Sequence, residues 1–220
     1  MSDHERSQQV AERLASVRAL IDRVERPYDH RVDIVAVTKG FESWAIAAAR
    51  AAGCRAIGEN YAQELLAKRD VIDELRPEVH FIGRLQTNKV RQIAGIVDVW
   101  ASLDRPSVVL EVAKRAPGAT VLVQVDTTGD PNKGGCPLTE VPALVDLARE
   151  AGLSVVGLMT VGPTGAPPEA ARSGFGRVRT LVDDLGLTVC SMGMSADLTV
   201  ALEEGSTEVR VGTALFGSRP

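Results

Sequence analysis

Aromatic residues are scarce, at 4% of 220 residues. With Ala, Val, Leu and Gly abundant instead, the composition suits stacked helices and parallel strands better than an antiparallel sandwich. The three cysteines, Cys54, Cys136 and Cys190, are odd in number, far apart and without a C-x-x-C pair. That excludes a zinc knuckle or dithiol redox site and points to a reducing, cytoplasmic setting. His4, His30 and His80 have no metal-ligand spacing, so no metal site is expected. Positive charge is not in excess: 25 Lys and Arg stand against 29 Asp and Glu, for a net charge of −4. With no basic stripe, a nucleic-acid partner is not expected. No window approaches the roughly 20 nearly uncharged apolar residues of a membrane span, and the amphipathic N-terminus lacks the apolar core and cleavage site of an export signal.

What is there is a globular chain, 45% apolar and 25% charged. From Glu5 to about Arg26, Val10, Leu14, Val17, Leu20, Ile21 and Val24 recur at three- and four-residue steps until Pro27, the period of one helical face. Thereafter short apolar runs alternate with longer amphipathic stretches. The runs read as strands at Asp33–Val37, Arg55–Ile57, Val79–Ile82, Val97–Trp100, Thr120–Val125, Ser154–Leu158, Leu187–Cys190 and Glu208–Val211. Helices are expected at Ser43–Ala52, Tyr61–Leu75, Asn88–Gly95, Arg105–Arg115, Leu138–Ala151, Pro168–Leu185 and Ser195–Glu204. This is a series of parallel βαβ units, and eight strands fit a closed (β/α)8 barrel, with a doubly wound open sheet as the competing architecture. No linker divides the chain, so residues 1–27 are read as a helix packed on the barrel and 28–220 as one barrel domain. Gly129–Pro137 and Gly162–Pro168 are the longest loops.

In either architecture ligands bind beyond the carboxyl ends of the strands. After the first strand stands Lys39, where desolvation would favour the neutral amine that forms Schiff bases; the alternative is a lysine reaching solvent. After the second, Gly58-Glu59-Asn60-Tyr61 offers Asn60 either as a helix cap or as a ligand contact. His80, Arg84 and Lys89 mark a polar third loop without a specific pattern. Ser191-Met192-Gly193-Met194-Ser195 and Arg210-Val211-Gly212-Thr213 place hydroxyls, glycines and helix-start N–H groups after the last two strands, where barrels gather phosphate. Arg210 shares the inward face with Gly212, and could instead pair with a buried carboxylate such as Glu59. Gly193-Met194-Ser195-Ala196-Asp197 lacks the last glycine of a nucleophile elbow, and Gly129–Gly135 lacks a P-loop ending.

Together Val37-Thr38-Lys39, Gly58–Tyr61, His80-Phe81-Ile82-Gly83 with Leu85–Lys89, Gly157–Thr160, Ser191–Ser195 and Arg210–Gly217 form one ordered series. From about Val32 to Gly217 the chain resembles the pyridoxal-phosphate homeostasis proteins, built on the alanine-racemase N-terminal barrel. The resemblance implies that Lys39 holds pyridoxal 5′-phosphate (PLP) as an internal aldimine. Ser195 and the backbone of Gly212 and Thr213 would hold the phosphate, Arg210 would face the pyridine nitrogen, and Asn60 and Ser191 would line the ring. A permanently charged guanidinium there discourages protonation of that nitrogen and weakens the cofactor as an electron sink.

The catalytic racemases follow their lysine with a tyrosine- and histidine-containing segment and add a second domain carrying an opposing tyrosine. Here Lys39 is followed by Gly40-Phe41-Glu42-Ser43-Trp44, and the barrel motifs run to the last residues of the sequence. Without a base on the opposite face, racemisation is disfavoured. The expected function is therefore a cytosolic carrier that captures PLP and releases it to PLP-dependent apoenzymes or free amines. Lys133 is either a second amine for transfer or a surface lysine. The alternatives are a weak racemase, lyase or aldolase using Lys39, and a non-covalent phosphate-binding module. Without the racemase dimer domain, a monomer is expected.

Overall fold

The first apolar run, Asp33–Val37, becomes strand β1, and its Val35 and Ala36 are wholly buried because the strand is covered on both faces. The computed structural model describes residues 3–130 and 133–219. Met1 and Ser2 of the N-terminal segment, Pro131 and Asn132 of the Gly129–Pro137 loop, and Pro220 lie outside the described residues. Strands β2 (Ala56–Glu59), β3 (Glu78–Phe81), β4 (Val99–Leu103), β5 (Thr120–Asp126), β6 (Cys136–Pro137), β7 (Ser154–Thr160), β8 (Val189–Ser191) and β9 (Glu208–Val211) follow. All pair in parallel, in the order β4-β3-β2-β1-β9-β8-β7-β5-β6. A further pairing of β4 with β5, Val99 opposite Thr120 and Leu103 opposite Val123, closes the ring. The closed eight-stranded barrel expected from the sequence is the one observed, and the open doubly wound sheet is excluded. The two-residue β6 is an addition outside the ring, pairing Cys136 with Val125.

Helix α1 (Asp3–Arg23) precedes the barrel; α2 (Trp44–Ala51), α3 (Ala62–Ala67), α4 (Arg69–Leu75), α5 (Thr87–Ile93), α6 (Pro106–Arg115), α7 (Val141–Glu150), α8 (Arg172–Asp184), α9 (Leu198–Glu203) and α10 (Thr213–Phe216) alternate with the strands. Three apolar clusters result. Ala101, Leu122 and Met159 fill the barrel's interior, while two larger clusters lie between strands and helices. The heptad-like stripe of α1 is accounted for: Val10, Leu14, Val17 and Ile21 are buried against α2 and α10. Arg13 Nη1 also donates to the Leu215 carbonyl at 3.2 Å, tying α1 to the turn that follows β9. No helix among the described residues is long and apolar enough to cross a membrane.

Several expected boundaries are corrected. The single helix read over Tyr61–Leu75 is broken at Lys68 (φ −99°, ψ 7°), whose side chain is drawn inward to Glu59 and the Thr38 carbonyl. The helices read from Leu138 and Pro168 open with 3-10 turns, Leu138–Glu140 and Pro168–Ala171, each preceded by a proline, Pro137 and Pro167. The helix read from Ser195 begins only at Leu198, because Asp197 Oδ1 accepts the Met194 N–H at 2.6 Å and holds the preceding residues in a turn.

Candidate functional site

Lys39 leaves the carboxyl end of β1 with its Nζ 3.4 Å from Asn60 Oδ1. Burial lowers the amine's pKa below its ordinary value, and the neighbouring Arg219 and Arg210 charges lower it further. A larger neutral fraction makes it a better nucleophile than a surface lysine. Gly83 fixes the loop beside it, since a Cβ there would sit 1.9 Å from the Asn60 carbonyl oxygen.

Arg210 projects from β9 into the barrel and is 4% exposed. Its Nη1 donates to Ser191 Oγ at 2.7 Å and its Nη2 to the Thr160 carbonyl at 2.6 Å. Ser191 Oγ in turn donates to Glu208 Oε1 at 2.6 Å. The alternative pairing of Arg210 with Glu59 is not formed. Glu59, wholly buried, is taken by Lys68 Nζ and Thr38 Oγ1, each 2.6 Å from Oε1. Burial lowers the Arg210 pKa while Glu208 and Asp197 oppose that shift, and a guanidinium keeps its charge.

Across from Lys39, the Ser195 hydroxyl accepts the Ala214 N–H at 3.1 Å, joining the turn after β8 to the first turn of α10. Gly212 keeps the backbone close there, since a Cβ would meet the Val37 carbonyl oxygen at a tight 3.2 Å. A cavity of about 230 Å³ lies between, lined by Lys39, Ser195, Arg210, Gly212, Thr213 and Arg219 among others. No Asp or Glu is among the described residues that line it. Three basic side chains, a hydroxyl and a glycine cradle suit a phosphorylated anion carrying an amine-reactive carbonyl, and so fit PLP.

Five of the seven residues singled out in the sequence therefore meet at one cavity. Asn60 reaches it through Lys39 and itself lines an adjoining cavity of about 350 Å³. Ser191 is wholly buried and bonded to Arg210. Sequence reasoning missed Arg219, whose Cδ would lie 2.7 Å from a Cβ on Gly40; no motif surrounds it. It also missed Lys68 and Glu64, though the latter takes the Gly40 N–H at 2.7 Å. Lys133 bonds through Nζ to the Gly162 carbonyl. The thiols are no nucleophiles: all three are buried, and burial pushes Cys136 up to about 11 and Cys190 up to about 12. Among the described residues no group of three or more His, Cys, Asp or Glu could hold a metal ion.

Residues 13–220 match the family model described as alanine racemase, N-terminal domain. The pyridoxal phosphate homeostasis protein of Pseudomonas aeruginosa is 38% identical over 220 residues, covering 96% of each chain. That of Aquifex aeolicus is 42% identical over 178 residues, covering 76% of this chain and 78% of its own. The solved structure of PipY from Synechococcus elongatus with PLP bound is 32% identical, with a TM-score of 0.80, covering 94% of this chain and all of that one.

Proposed function

The chain belongs to the pyridoxal phosphate homeostasis family built on the alanine racemase N-terminal domain, and from that premise we propose that it is a carrier and buffer of PLP. The observation that carries this reading is a pKa-lowered lysine facing a carboxylate-free anion cradle within one cavity. When bound, PLP supplies an aldehyde that condenses with primary amines. Lys39 would hold it covalently. Ser195 and the backbone of Gly212 and Thr213 would hold its phosphate, Arg210 would face the ring nitrogen, and Asn60, through its hydrogen bond, would orient the lysine. Ser191 would act beneath Arg210 as its anchor.

Carriage rather than turnover is supported by the lining itself. Among the described residues around the cavity, Lys39 is the one group suited to proton transfer near neutral pH, with no His, Cys or Tyr opposite it. The three free, buried cysteines accord with a cytosolic location. PLP-dependent apoenzymes are the recipients in this reading, and the protein acts as a monomer, checkable by light scattering. The test mixes PLP-loaded protein with an excess of a PLP-dependent apoenzyme and, separately, with amino acids. Activation of the apoenzyme without racemisation, cleavage or decarboxylation above the rate of free PLP is expected. Turnover of an amino acid, with no cofactor transfer, would overturn carriage.

A further inference from the structure

The lower half of the barrel carries a line of polar groups that the cofactor site does not explain. At the amino end, exposed Arg55 lies 3.3 Å from Glu78 Oε1, and the same oxygen lies 2.7 Å from His80 Nε2. His80 Nδ1 lies 3.6 Å from Glu208 Oε2 and has no hydrogen-bond partner, although the residue is only 3% exposed. Glu208 Oε1 then takes the Ser191 hydroxyl at 2.6 Å, and Ser191 takes Arg210 at 2.7 Å. The series crosses from β3 to β9 and ends on the guanidinium that lines the Lys39 cavity. Its lower end opens on a separate cavity of about 490 Å³, lined by His80, Glu78 and Glu208.

We infer that His80 is a positioning residue for Arg210, acting through Glu208 and Ser191, and that its protonation from the amino-end cavity sets the charge presented to the cofactor at the other end. The inference rests on the PLP reading above. An imidazole flanked on both nitrogens by carboxylates can satisfy both only as the imidazolium, which donates twice. In that form Glu208 is balanced by His80, and the positive field of Arg210 is available to an anionic ligand. With a neutral ring, Glu208 falls to Arg210 alone and the hold on the anion weakens. The other charged groups at this end are Asp33 and Asp98, the Arg31 that pairs with Asp33 at 3.1 Å, and His30. Asp98 is committed to the Val79 N–H at 2.8 Å.

The test titrates PLP-loaded wild-type and His80→Gln proteins from pH 5 to 9, following the bound cofactor's absorption and its affinity, with the His80 ring followed by NMR in the same wild-type samples. The wild type is expected to show a spectral transition coinciding with the His80 titration, and PLP addition to the apoprotein should move that titration, because coupling is reciprocal. His80→Gln should keep its cofactor on Lys39 but lose the transition and bind PLP about tenfold more weakly at acid pH. Should His80→Gln fail to fold, Glu78→Gln is expected to move the transition to lower pH with cofactor retained. A spectrum, affinity and pH profile unchanged from wild type in the variant that folds would overturn the inference while leaving PLP binding intact. A wild-type protein that takes up no PLP would overturn the underlying reading and this inference with it.

Discussion

Glu59 places a carboxylate where no solvent reaches, and one cation, Lys68, offsets its charge at 2.6 Å while Thr38 supplies a further hydrogen bond. Removing one partner of such a pair costs about 3–5 kcal/mol, so Lys68→Met should lose stability of that order at neutral pH. Burial already holds the Glu59 pKa above its ordinary value despite Lys68. Without the lysine, the folded protein therefore binds a proton that the unfolded chain releases. Its stability is fullest below the ordinary carboxylate range and falls as pH rises through the raised folded value. Urea unfolding at pH 5 and pH 8 checks this: the deficit against wild type should be smaller at pH 5. Arg219 acts on the same lysine motif from a distance in sequence. Since its charge helps lower the Lys39 pKa, Arg219→Gln should shift the midpoint of cofactor attachment, followed by absorbance against pH, upward. An unmoved midpoint would remove Arg219 from the site. Lys39, Ser195, Arg210, Gly212 and Thr213 were legible because each lies at or just past the end of a strand inside a compact motif. Arg219 and Lys68 were not, because their roles arise only when the segment after α10 and the break between α3 and α4 are brought to the residues following β1.

At the scale of elements, β1 and β9 were readable to the residue because β-branched residues, Ile34, Val35 and Val37 in one and Val209 and Val211 in the other, run up to the Lys39 and Gly212 signals. The two-residue β6 and four-residue α10 carry too few residues for either period to register. α1 is the element whose contribution is most separable. Leu14 is 1% exposed in the cluster joining α1 to α2 and α10, and truncating such a side chain costs about 2–5 kcal/mol. Leu14→Ala should show that loss in urea unfolding, while the exposed Glu12→Ala on the same helix should stay near wild type.

Taken whole, the molecule is a barrel whose carboxyl end holds a basic cavity, whose amino end is charged, and whose interior joins the two by a line of buried polar groups beside the apolar cluster of Ala101, Leu122 and Met159. A ligand that binds only the folded barrel stabilises it by about 2.7 kcal/mol at a hundredfold excess over Kd. PLP should thus raise the melting temperature of the wild type by roughly 5–10 °C, and that of Lys39→Ala by clearly less, as read by calorimetry. The central claim is that Lys39 carries the cofactor. Incubating the protein with PLP, reducing with borohydride and mapping the phosphopyridoxyl group by peptide mass spectrometry tests it most directly. The account predicts a visible absorption band before reduction and a single modified site at Lys39. No band and no adduct, or an adduct spread over surface lysines with Lys39 unmodified, would contradict it.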